Sequence, residues 1–96
     1  MEKSAVSMEK LSVEEREDIL IDVARILEDT ARNALFAGRQ NLAVLSTNMA
    51  EAIRINADLL ARDEVENAER VLQQANAVIS QFKAAHPYRF VSHAMH

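Results

Sequence analysis

The chain of 96 residues has no cysteine and no tryptophan, one glycine (Gly38), one proline (Pro87), one tyrosine and three phenylalanines. Each shortage excludes something. Without cysteine there is no disulfide, no thiolate for a zinc site and no thiol nucleophile, a usage that fits a reducing compartment. With one glycine there is no phosphate-cradling loop. Almost no residues remain that build the tight turns of β-hairpins, so an all-β fold is excluded too. No stretch approaches the ~20 uninterrupted apolar residues that span a bilayer. The opening residues lack the basic-then-apolar order of a secretory signal. The expectation is a cytoplasmic chain with no membrane partner.

Positive charge is also scarce. Eleven Lys and Arg stand against 15 Asp and Glu, a net charge of −4, so the basic footprint of a nucleic-acid binder is missing. Arg25, Arg32, Arg39, Arg54, Arg62, Arg70 and Arg89 are scattered, and only a dimer would gather them. A nucleic-acid-associated regulator is therefore a minor alternative. The acidic run Glu14, Glu15, Glu17, Asp18 and Asp22 reads as a solvated first turn that complements a helix dipole.

What the sequence does have is helical periodicity. In residues 63–86, Val65, Ala68, Leu72, Ala75, Ile79 and Phe82 recur at spacings of three and four, widened by Val71 and Val78. That is one face of an amphipathic helix, with Asp63 and Glu66 as its start signal and Pro87 as its stop. Ser12 and Glu15 have the spacing of a capping box. They open a helix whose apolar face holds Ile19, Leu20, Val23, Ile26, Leu27, Ala31 and Ala34, with Ile21 and Phe36 on the opposite, charged side. Gly38 supplies the left-handed residue that ends this helix. The next helix presents Leu42, Leu45, Met49, Ala52, Ile53, Leu59 and Leu60 on one face. Asn56 falls within that face and Asn48 near its edge, so both are expected to be buried polar residues that fix register.

The expected architecture is all-α: an antiparallel up-down-up three-helix bundle with helices near 13–36, 41–61 and 64–86. Residues 1–11 read as a disordered segment and 87–96 as a tail. Its surplus apolar surface predicts completion by homodimerisation.

No catalytic constellation emerges. Ser46, Thr47 and Ser80 have no histidine placed beside them by pattern. His86, His93 and His96 cluster late, where no helical pattern holds them, so no metal site and no cofactor are expected. The chain reads as a non-enzyme, a protein-interaction module. Its expected partner contacts are Ile21 and Phe36 on the bundle and Tyr88, Phe90 and Val91 in the tail, since aromatic anchors carry disproportionate binding energy. The alternative is a small ligand held in the bundle core around Asn56.

Overall fold

The computed structural model describes residues 8–85. Among them there are three α-helices, packed together, and no strand: α1 (Val13–Phe36), α2 (Gln40–Arg62) and α3 (Val65–Ala85). A 3₁₀ turn, Met8–Lys10, precedes them. The bounds of α1 and α2 and the start of α3 lie within one residue of those read from periodicity; the expected end of α3 at 86 lies outside the described residues.

The capping box at α1 forms in both directions. Glu15 donates its backbone N–H to Ser12 Oγ at 3.1 Å, and Ser12 donates its own to Glu15 Oε1 at 2.9 Å. Two of the free donors at the helix start are thereby satisfied. At the other end Gly38 has φ of +77°. The Gly38 N–H reaches Leu35 O at 3.0 Å and the Arg39 N–H reaches Ala34 O at 2.7 Å, the paired bonds of a Schellman turn. The start of α3 differs from expectation. Asp63 does not form a capping box with Glu66. Its carboxylate instead accepts the Glu64 N–H at 2.7 Å and the Asn67 side-chain amide at 3.0 Å, because α3 begins at Val65, one residue later than Asp63 can cap.

α1 and α2 make the most extensive contact, and they run antiparallel. Gly38 turns the chain between them, Glu28 meets Arg54 midway, and Arg16 reaches Ala61 near the far end. Their interface is built of small residues. Ala24, Ala31 and Ala34 of α1 and Ala43, Ser46, Ala50, Ala57 and Ala61 of α2 are all buried. Leu20, Leu27, Leu42 and Ile53 belong to the same buried cluster, Leu20 and Leu27 alternating with the alanines along α1. Alanine lets two helix backbones approach closely, so little side-chain volume is needed to fill the contact. α3 packs on this hairpin with Ala68, Ala75, Val78, Ile79 and Phe82, as its periodicity predicts; Phe82 is fully buried.

Not all of residues 1–11 fits the expected disordered segment. Met8 is buried, and its N–H contacts Glu69 Oε2 at 3.4 Å. Arg16 holds the turn in place. Its guanidinium donates to Met8 O at 2.7 Å, Ala61 O at 3.2 Å and Glu9 O at 3.4 Å. One cation thus ties the 3₁₀ turn to the Ala61 carbonyl in the last turn of α2, the end where positive charge is favoured. No periodicity announces this, since it depends on one arginine meeting three carbonyls from two segments far apart in the chain.

Candidate docking surface

α2 has two apolar faces, and the fold buries the one with smaller side chains. The buried face is Leu42, Ala43, Ser46, Ala50, Ile53, Ala57 and Ala61. Relative to the expected face, it is rotated by roughly a quarter turn at 100° per residue. The larger side chains are consequently left outside: Leu45 is 45% exposed, Val44 55%, Leu59 68% and Ile55 79%. Leu45, Asn48, Ala52, Ile55 and Leu59 follow at spacings of three, four, three and four, the repeat of a helix seam made to meet another helix. Met49, half-buried, flanks it.

What holds α2 in this orientation lies on its other side. Arg54 donates from Nε to Glu28 Oε2 at 2.7 Å and from Nη2 to Glu28 Oε1 at 3.0 Å. A bidentate pair is directional, so it resists rotation of α2 about its own axis. The Arg54 hydrogen bonds, followed by its charge, hold the Glu28 carboxyl below its ordinary value of 4.5.

Asn56 and Asn48 therefore depart from expectation: both are exposed. The quarter-turn rotation carries them out of the core and onto the uncovered face. Asn56 donates from Nδ2 to Ala52 O at 2.8 Å, a bond within its own helix. Ile21 also departs from expectation. It is half-buried and packs against the core, so the buried arc of α1 is wider than its strongest apolar stripe. Phe36, next to the Gly38 turn, is 78% exposed. Ile26, expected on the buried face of α1, is 44% exposed. Tyr88, Phe90 and Val91, with His86, His93 and His96, lie outside the described residues.

Among the described residues, two open grooves border α2. One, of about 340 Å³, runs between α2 and α3 and is lined by Ala52, Ile53, Asn56, Leu59, Leu60, Asp63 and Val71. The other, of about 380 Å³, lies along α1 and α2 between Leu35 and Val44, with Glu28 and Arg32 at its side. The first is continuous with the exposed stripe through Ala52, Asn56 and Leu59, so stripe and groove make one surface.

Among the described residues the arginines do not gather. Arg25 pairs with Asp22, Arg32 with Asp29 and Arg62 with Asp58, each within one helix, while Arg54 is taken by Glu28 and Arg16 by carbonyls. Among the described residues no group of three or more His, Cys, Asp or Glu is arranged to hold a metal ion. Likewise no described helix is long and apolar enough to cross a membrane.

Sequence reasoning passed over Leu45 and Leu59 as surface residues because it assigned them to the core. The signal was present in the alanines. Ala43, Ala50, Ala57 and Ala61, with Ser46, form a second stripe at helical spacing on the same helix. Two apolar stripes on one helix need two partners. Comparison with protein-family models, with curated proteins and with solved structures finds no match.

Proposed function

We propose that this chain is a small non-catalytic protein-interaction module, an adaptor, chaperone-like subunit or regulatory inhibitor, that works by presenting a rigid helical face. The observation that carries the reading is the uncovered stripe on α2. Its apolar patch approaches the ~300–600 Å² of the largest patch on an ordinary monomer, a size that is often functional. The helix behind it is fixed by the Glu28–Arg54 pair and by close alanine packing, so little ordering cost is left for binding. Phe36, exposed beside the turn, is proposed as a further apolar contact, and Tyr88, Phe90 and Val91 as tail anchors. Self-association into a homodimer and a cytoplasmic setting belong to this reading. Nucleic acid is the weaker partner class, since four of the arginines sit beside carboxylates.

A small ligand at Asn56 is the second reading, favoured by the groove between α2 and α3 that Asn56 lines. Pockets that hold small molecules enclose most of the ligand surface. This groove is open along its length, which suits a helix better.

The test is a photoreactive phenylalanine analogue placed at Ile55, with Gln81 of α3 as control, irradiated in cells that express the chain. The reading expects protein adducts from Ile55 and not from Gln81. Equal labelling at both positions, or no protein adduct at Ile55, refutes it.

A further inference from the structure

We infer that the occupant of the α2 face is a second copy of this chain, docked antiparallel about a two-fold axis beside Ala52. This rests on the docking reading above and names its partner. The observation is the order of side chains along the face. Stepping outward from Ala52, the two directions meet matching residues at matching distances: Met49 and Ile55, then Asn48 and Asn56, then Leu45 and Leu59. A face that reads alike in both directions is its own complement when turned end for end. That is the condition for an isologous contact, in which residue i meets j and j meets i.

In this register Leu45 meets Leu59 of the second copy, and Ala52 meets Ala52. A small residue at the crossing point allows close approach, as it does between α1 and α2. Asn48 comes level with Asn56 of the second copy, and the two-fold repeats the arrangement. An amide in an apolar seam selects register, because a slipped pairing sets it against leucine without a hydrogen-bond partner.

Charge agrees with this occupant. The matched residues from Leu45 to Leu59 are all uncharged, and Arg54 is turned away to Glu28. The matched positions themselves set no like charges against each other, and Glu51, next to Ala52, lies at the edge of the face, where it stays in solvent. The area also fits. At their fractional exposures, Val44, Leu45, Ile55 and Leu59 leave about 400 Å² uncovered per copy, taking roughly 150–180 Å² for a fully exposed aliphatic residue. With the asparagines and Met49, a dimer would bury about 1,000 Å² in total, near the lower bound for a specific contact. That points to a reversible dimer of micromolar affinity.

The test is sedimentation equilibrium of the full chain, with single-cysteine variants that the cysteine-free sequence makes simple. A monomer–dimer equilibrium in the micromolar range is expected, and Leu59→Asp should weaken it at least tenfold. Helix content by circular dichroism should be unchanged, because Leu59 is exposed. With a short bismaleimide, Ala52→Cys should cross-link to itself. Leu45→Cys and Leu59→Cys should cross-link to each other when mixed but not to themselves, since like positions would lie about 20 Å apart at 1.5 Å per residue. A monomer at every concentration overturns the inference, as does self-cross-linking of Leu45→Cys or indifference to Leu59→Asp. If the chain is monomeric yet Ile55 still captures another protein, self-docking fails and the wider reading survives. If Ile55 captures nothing, both fail.

Discussion

Ser46 is the place where the core can be improved by removing an atom. It is fully buried between α1 and α2, and its Oγ has no hydrogen-bond partner. A buried hydroxyl without a partner forfeits its hydration at a cost of about 1–3 kcal/mol. Ser46→Ala removes that cost and gains a few tenths of a kcal/mol of helix propensity. Against this stands a small gap where the oxygen was, in an interface otherwise lined by alanine. The expected net effect is stabilisation by about 1–2 kcal/mol, or roughly 4–8 °C in Tm per kcal/mol for a domain of this size. Urea and thermal denaturation followed by circular dichroism, at one fixed protein concentration, would measure it. Thr30→Ala is the matched comparison. Thr30 is equally buried, but its Oγ1 donates to Ile26 O at 2.9 Å, so this change should destabilise by about 1 kcal/mol or more. If Ser46→Ala is itself destabilising, the hydroxyl is satisfied after all and the reasoning fails.

Two other perturbations test the ends and the cross-brace of the α1–α2 hairpin. Gly38→Ala meets no atom within 4 Å of the added Cβ, so its cost comes only from the positive φ. A loss of about 1–2 kcal/mol in urea denaturation is expected, and a neutral result would mean the turn has another conformation. Glu28 titrates below its ordinary 4.5 because Arg54 bonds its charged form. Its contribution is therefore fully present above the unfolded-state pKa and is lost as pH falls through the lower, folded one. Glu28→Gln should flatten the decline in stability below about pH 5 and leave the alkaline side unchanged; an unaltered acid limb in pH-dependent melts would contradict the pairing.

How much of this was legible beforehand differs from helix to helix. α3 carries a single apolar stripe, so Ala68, Ala75, Ile79 and Phe82 could face only one way, and the structure buries all four. The turn at Gly38 and the cap at Ser12 were equally readable, because both depend on residues only a few positions apart. α2 was not readable in the same way. Hydrophobicity ranks Leu45, Ile55 and Leu59 above Ala43, Ala50 and Ala57, yet close packing favours the smaller set when the facing helix also presents alanine. Ranking residues by transfer energy omits that geometric term. Thr30, Asn33 and Ser46, all buried in the hairpin, were missed for the same reason, and the Arg16 staple for another: its partners are backbone carbonyls, which no sequence pattern displays.

The letters alone determined that the described residues are helical, where α1 begins and ends, and that α2 carries more apolar side chains than one face can hide. Those properties follow from local bonding and from counting. Tertiary packing decided which apolar stripe of α2 would be the one left over. That choice depends on how near two backbones can come, a distance set jointly by side chains on both helices and by the Glu28–Arg54 brace between them.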